Sequence, residues 1–481
     1  MRAALLVLAL TAACGTTVPL AQQGAFDPGL GGPGASTQPS TTSALPSAGT
    51  VGGPTSLPGE LPGEPGQSAP APKPSTGGVL PTAVAVDRRP LALGMMYTNN
   101  DAAPNAGVDN GNTFTQRRAF EGLVRAWNSR GGLAGRRILP TYVELRSSSA
   151  NLAEDLQKAC TTFTQDKHVS VVLSATGTFS DAFSRCMSQA GTPVLAGDYA
   201  LGDTSSLAAA PSYFAPATLS TDRRVRGLLD RYVTPTDKLG VVVESCSYNV
   251  RTFERTLLPE ARRQGLTVTD HVETRCFQGI NDLAGQASDM QGAVLRFVSR
   301  HVNKVVFLSG GNEGNLMLLF GTAAEGQNYH PHYALTSAVA AVIQQDNTPH
   351  AQLANAVGLG WLPGIDSTQP TTTSATKRCA ADLKKGAGVT PASGTDRYFA
   401  ESTCDLFSLY DKVLRSTRGA TDAGAVRAAM RALERAFVGA AMVDGATDFS
   451  NRPDGPSRGR TFAWVASCSC FGYTGASFSL S

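Results

Sequence analysis

Residues 122–144, GLVRAWNSRGGLAGRRILPTYVE, decide how this chain is read. Phe120, Leu123, Val124 and Trp127 fall at i, i+3, i+4 and i+7, so a helix over 115–129 has one apolar face. Arg130-Gly131-Gly132 stops it, since glycine enters the left-handed conformation of a helix C-terminus without a Cβ clash. Residues 137–145 then read as a strand. Ahead of the helix, the apolar run 90–96 (PLALGMM) ends in the polar loop 97–101, the pattern of a buried strand. Strand, helix, strand is the unit of a parallel sheet.

The same grammar continues outward. Leu152, Leu156, Ala159 and Phe163 mark a second helix. Residues 169–173 form a third strand closed by the polar loop 174–178, followed by a helix over 180–190 and a short strand at 193–196. It then restarts: helix 223–233, strand 239–243, polar loop 244–249, helix 253–263, short strand 266–268, helix 292–302, and strand 304–308 ending in the loop 309–314. Residues 333–335 and 357–360 read as further strands, and 366–393 as either a loop or an insertion. The fold class is therefore α/β, with two Rossmann-like lobes built on parallel sheets. Open parallel sheets bind ligands at the carboxyl ends of their strands, where the polar loops lie.

The first 86 residues are of another kind. Arg2, the apolar run 3–10 and the small residues Thr11-Ala12-Ala13 before Cys14 have the pattern of a secretory signal. Residues 15–86 hold thirteen prolines and four charged residues, Asp27, Glu60, Glu64 and Lys73. Such a segment cannot bury enough apolar surface to offset its ordering entropy, and reads as a disordered Pro/Gly/Ser/Thr-rich tether. A flexible chain of some 70 residues reaches about 45–50 Å. No other stretch holds 18 consecutive apolar residues, so nothing else reads as membrane-spanning. Of the 481 residues, 41 are basic and 38 acidic, a formal charge of +3 that argues against a nucleic-acid partner.

Eight cysteines remain after Cys14, an even number that suits an oxidising compartment. Sequence alone allows 105 connectivities. Neighbour pairing, Cys160 with Cys186, Cys246 with Cys276 and Cys379 with Cys404, would close loops worth about 3–4 kcal/mol each in the chain-entropy model. Cys468 and Cys470, one residue apart, stay open between a small ring and free thiols. No cysteine pair has zinc-knuckle spacing, and His330-Pro331-His332 reads as a solvated loop, so no metal is expected.

Three stretches taken in order carry a family resemblance. Residues 122–144 resemble the N-terminal signature of type 1 periplasmic binding proteins, with Asn128, Gly131, Gly132, Gly135 and Arg136 at the places of its helix-ending turn. Residues 166–197 (DKHVSVVLSATGTFSDAFSRCMSQAGTPVLAG) resemble the strand, ligand loop, helix and strand that follow. Residues 239–268 (LGVVVESCSYNVRTFERTLLPEARRQGLTV) resemble the opening of the second lobe. The nearest subgroup is the branched-chain amino-acid type of ABC-transporter substrate-binding lipoprotein. Residues 1–14 likewise resemble a lipoprotein signal, although Thr11 stands where leucine is usual and Leu10 lies one place earlier.

That resemblance implies a signal peptide at 1–13, a Cys14-lipidated tether at 14–86, one lobe from 87–217 plus 364–459 and another from 218–363 plus 460–481. Three hinge crossovers would lie near 216–220, 363–366 and 460–462. A small polar solute (amino-acid-like, amide or carboxylate) would bind between the lobes and pass to ABC permease subunits. The protein would sit outside the cell membrane, held by its lipid alone, as a monomer without catalytic residues or cofactor. A ligand carboxylate would meet the loop Ser174, Ala175, Thr176 and Thr178 at a helix N-terminus, where N–H donors and the dipole favour an anion. Tyr97, Thr98, Tyr199, Tyr248 and Ser337 would line the cleft. No acid lies beside Ser337 to take a ligand ammonium, which leaves Glu313, Glu244 and Asp198 as substitutes and puts amino-acid specificity in doubt.

Two rivals differ in class. An enzyme with a nucleotide cofactor would need a phosphate-binding loop, but 309–314 lacks G-x-G-x-x-G spacing, and neither G-x-x-x-x-G-K-[ST] nor G-x-S-x-G occurs. A ligand-binding sensor or orphan receptor would use the same fold without a permease.

Overall fold

The computed structural model describes residues 89–100, 115–198, 200–391 and 394–480. The expected signal peptide, Cys14 and the expected tether lie outside them, as does Tyr199. The first lobe runs β1 (Leu91–Asn99), α1 (Gln116–Asn128), β2 (Ile138–Arg146), α2 (Leu152–Thr161), β3 (Val171–Ala175), α3 (Asp181–Gln189), β4 (Val194–Ala196), α4 (Thr204–Ala209) and β5 (Tyr213–Phe214). The second continues with α5 (Thr221–Tyr232), β6 (Lys238–Glu244), α6 (Ser247–Thr252), α7 (Leu258–Arg263), β7 (Thr267–Thr274), α8 (Asp282–Ser299), β8 (Lys304–Leu308), α9 (Glu313–Gly326), β9 (His332–Thr336), α10 (Ala341–Asn347), α11 (His350–Leu353) and β10 (Ala356–Gly360). The chain then passes through α12 (Pro363–Asp366), α13 (Ser374–Ala387), α14 (Gly394–Ser416) and α15 (Ala423–Leu433), and ends in β11 (Arg458–Val465) and β12 (Cys470–Ser479).

Two sheets form. The first has five parallel strands in the order β2-β1-β3-β4-β5; the second has seven strands in the order β12-β11-β10-β9-β8-β6-β7, five of them parallel, with β11 antiparallel to β10 and β12 antiparallel to β11. Alternation along β1 shows why both faces are covered: Leu93, Met95 and Tyr97 join the core under α1 and α14, while Met96 joins the core under α2 and α3. Gly94 has no side chain because Phe163 fills that place, 2.8 Å from where a Cβ would stand.

The structure departs from the sequence reading at several places. β7 extends to Thr274, beyond the expected 268, because an edge strand tolerates polar residues; Asp270 within it pairs with Arg296 of α8 at 2.6 Å. α8 starts ten residues before 292, in turns whose inward positions are Gln286 and Met290. The polar loop at 244–249 is cut short by α6. The 366–393 segment holds α13, which packs on α1.

Three segments pass between the sheets: after β5, after β10 and before β11. They are bonded to one another. Ala215 N–H donates to Pro453 O at 2.9 Å, Gly455 N–H to Ala215 O at 2.8 Å, and Trp361 Nε1–H to Ala217 O at 3.2 Å. The third lies earlier than 460–462, since Arg460 already pairs with Gly360 inside the second sheet. Cysteine sulfurs stand at disulfide distance in Cys160–Cys186, Cys246–Cys276, Cys379–Cys404 and Cys468–Cys470, the last in the turn between β11 and β12. Among the described residues, no helix is long and apolar enough to cross a membrane.

Candidate ligand cleft

The two sheets aim the carboxyl ends of their central strands at one cleft. From the first come Asn100 after β1, Ser147 and Ser149 after β2, and Thr176 and Thr178 after β3; from the second come Glu244 and Tyr248 around β6, Phe277 and Gly279 after β7, and Gly310, Gly311 and Asn312 after β8. These residues line a partly open chamber of about 170 Å³. A second, of about 190 Å³, adjoins it through Asn100, Ser147, Phe277, Gly311 and Asn315. Its wall is mostly apolar: Ile280, Leu283, Leu318, Val339, Ile343 and Phe399.

The lobes are clasped over these chambers. Leu152 N–H donates to Gln278 O at 2.7 Å, and Ile280 N–H to Ser149 O at 3.0 Å, so the 149–152 and 278–280 loops are joined backbone to backbone. On α6, Arg251 grips Asp203 of the first lobe with Nε and Nη2, both at 2.8 Å, and reaches Asp181 at 3.3 Å. Ser247 Oγ–H also donates to Asp181 at 3.1 Å. At Gly311 the lobes approach too closely for a side chain: a Cβ there would stand 2.5 Å from Gly177 O.

The predicted anion loop is built but occupied from within. The Asp198 carboxylate, just after β4, accepts from Gly177 N–H at 2.9 Å, from Thr176 N–H, from Ser174 Oγ–H at 3.1 Å and from Thr176 Oγ1–H at 3.3 Å. Burial pushes the Asp198 carboxyl up to about 6, and these donors oppose the shift. Ser174 and Ala175 are buried beneath the loop; Thr176 and Thr178 reach the chamber wall.

The other predicted residues divide likewise. Thr98 lines the first chamber and ties β1 to the loop, donating from Oγ1 to Thr176 O at 2.7 Å. Tyr248 lines it too, edge-on to Phe179 with ring centres 5.5 Å apart. Tyr97 points the other way, into the α1 side of the sheet, where its hydroxyl takes a hydrogen bond from Arg117 at 3.0 Å. Glu313 is buried against Arg224 at 2.6 Å and accepts from Thr336 Oγ1 at 2.5 Å. Ser337 bonds Asp366 at 2.8 Å and accepts from Trp361 N–H at 2.8 Å, which fixes the second crossover. Glu244 reaches the wall, but Ser309 Oγ at 2.8 Å, Phe277 N–H at 3.0 Å and Asn312 at 3.3 Å already surround its carboxyl. Glu313, Glu244 and Asp198 are thus each bonded to neighbouring groups of the protein, and burial raises the pKa of all three.

The sequence reading missed Asn100, Ser147, Phe277, Ile280 and Asn315. The strand-end rule would have pointed to the loop after β7, had that strand been carried on to Thr274.

Two parallel-stranded lobes, three crossovers and a cleft at the strand ends are the architecture of type 1 periplasmic binding proteins, and this chain has that fold. Similar solved structures include an ABC transporter substrate-binding protein from Desulfitobacterium hafniense in complex with leucine: 16% identity, 80% of this chain and 99% of the other covered, TM-score 0.53. A solute-binding protein of an ABC transporter from Rhodopseudomonas palustris, in complex with 3,4-dihydroxybenzoic acid, gives 12% identity, 82% and 98% coverage, and a TM-score of 0.58. A branched-chain amino-acid transporter substrate-binding protein from Streptococcus pneumoniae, in complex with isoleucine, gives 14%, 81% and 99%, and 0.55. No protein-family model and no curated protein matches the sequence.

Proposed function

We propose that this protein is an extracytoplasmic solute-binding lipoprotein, anchored through Cys14, that captures a small solute between its lobes and delivers it to the permease of an ABC transporter. The observation that carries the reading is the clasped cleft: two lobes joined by backbone hydrogen bonds beside two adjoining, partly open chambers, on a fold shared with transporter binding proteins. Hinge closure of this kind holds a ligand without altering it, and the protein would act as a monomer with no cofactor.

The cleft favours an amide- or hydroxyl-bearing solute with an apolar body over an amino acid. Asp198 already takes the donors that a ligand carboxylate would use, and Glu313 and Glu244 are bonded internally. The apolar wall suits a hydrocarbon or ring portion, and Asn100, Asn315 and Asn347 stand where polar groups would be met.

A thermal-shift screen of the oxidised protein against amino acids, amides, urea, aromatic acids and alcohols, short peptides and sugars tests this. A ligand at 100 times its Kd adds about 2.7 kcal/mol. A shift confined to amides or neutral aromatics supports the assignment. Shifts with free amino acids would refute the solute class and keep the capture role; no shift with any class, and no ligand carried through purification, would remove the capture role.

A further inference from the structure

A second cavity lies at the crossovers, apart from the cleft. It measures about 500 Å³, and none of its lining residues lines either cleft chamber. Five arginines face it: Arg223 and Arg226 from α5, Arg427 and Arg431 from α15, and Arg452 just before the third crossover. Arg427 and Arg431 are i, i+4 neighbours and share a helix face. Among the described residues the one acid in the lining is Asp454, and it is taken: it accepts from Ser220 N–H and Arg223 Nη1, both at 2.9 Å. Arg223 is taken too, since it also donates to Pro456 O at 2.8 Å. Arg452 touches Asp448 at the 4.0 Å limit of an ion pair, and burial and the like charge of Arg223 lower its pKa. Arg226, Arg427 and Arg431 have no hydrogen bond or ion pair among the described residues.

Guanidinium groups stay charged at any ordinary pH, and their planar forks match the oxygens of phosphate two at a time. Gathering five around one cavity leaves mutual repulsion that Asp454 and Asp448 offset for Arg223 and Arg452 and that Glu260, whose pKa the charge of Arg226 helps to lower, offsets in part for Arg226; Arg427 and Arg431 have no such acid among the described residues. We propose that this cavity is an anion site that takes a phosphate group, carried by a small soluble molecule or by a lipid headgroup. α5 packs on the second sheet, while α15 packs on α14 and through it on the first, so a bound phosphate links the two lobes beside their hinge.

The test uses the oxidised full chain carrying Cys14→Ser, so that no lipid anchor causes flotation: titration with inorganic phosphate and pyrophosphate at constant ionic strength, and flotation with vesicles of phosphatidylglycerol or phosphatidylcholine. The comparison protein is Arg427→Glu/Arg431→Glu, which breaks no hydrogen bond or ion pair among the described residues; circular dichroism checks its folding. Arg226→Ala is a second variant if that one folds poorly. The expected result is one pyrophosphate per chain, with affinity reduced at least tenfold in the variant. Pyrophosphate binding without flotation assigns a soluble source. Flotation with phosphatidylglycerol that pyrophosphate reverses assigns a headgroup, and both support the site. The proposal is overturned if neither probe binds, if chloride at equal ionic strength competes as well as pyrophosphate, or if the variants bind like the parent protein.

Discussion

Asp198 accepts a hydrogen bond from the backbone N–H of Gly177 at 2.9 Å, and with it the donors of Thr176 and Ser174 at the head of α3. The anion that this loop is shaped to hold is a side chain of the protein itself. Asp198→Ala leaves at least two buried N–H groups without an acceptor, which costs about 2–3 kcal/mol. Small carboxylates should then enter the vacated place. Denaturant unfolding of Asp198→Ala is expected to shift back toward the parent midpoint with excess formate or acetate, while the parent protein shows no such shift. An equal response of both proteins would mean that the loop is not an anion site.

This relationship marks where sequence reading stops. The loop at 174–178 was legible because strand and helix periods bracket it, and the lobes because those periods repeat. Asp198 lies more than twenty residues on, at the end of the neighbouring strand, and only parallel pairing of β3 with β4 brings it under the loop. Glu313 was misread for the same reason: its partner Arg224 sits on α5, 89 residues away, and no local pattern marks it as buried. β11 and β12 add antiparallel strands to a parallel sheet, so the strand-helix alternation gives no warning of them.

Several carboxyls are buried deeply enough to set the pH response. Burial raises Asp198 to about 6 and Asp366, Asp405 and Glu401 to about 7, against about 3.9–4.3 in the unfolded chain. A raised carboxyl favours the protonated native state. Its contribution is complete below the unfolded pKa and is lost as pH rises through the folded one. Stability should therefore fall between about pH 4 and about pH 7. Asp366→Asn, which keeps the acceptor for Leu362 N–H and the Tyr473 hydroxyl, should flatten the slope. Urea midpoints across that range check both; a slope that rises with pH would contradict the assignment.

The clasp can be opened from outside the chamber at Arg251, or at its rim at Gly279. Arg251→Ala removes both bonds to Asp203 and the contact with Asp181, and leaves the buried Asp203 carboxylate without its cation. A loss of about 1–3 kcal/mol is expected, with a larger radius of gyration in small-angle scattering. Gly279→Val places branched carbons against Ser149 O and Ala150, and should give the same expansion. Both variants should bind the solute at least tenfold more weakly with the lobes still folded. An unchanged radius in both would mean that these contacts do not hold the cleft shut.

The four cysteine pairs should differ in worth. Those separated by 26, 30 and 25 residues close loops that the chain-entropy model values at about 3–4 kcal/mol each, whereas the pair separated by 2 closes a ring worth about 1.6 kcal/mol. Position points the same way. Cys379–Cys404 ties α13 to α14 across a buried interface, and Cys468–Cys470 sits in an exposed hairpin turn at the edge of the second sheet. Cys468→Ser/Cys470→Ser should lower the denaturant midpoint less than half as far as Cys379→Ser/Cys404→Ser. Equal losses would mean that the hairpin ring braces the edge of the sheet, which its place beyond β11 gives no packing reason to expect.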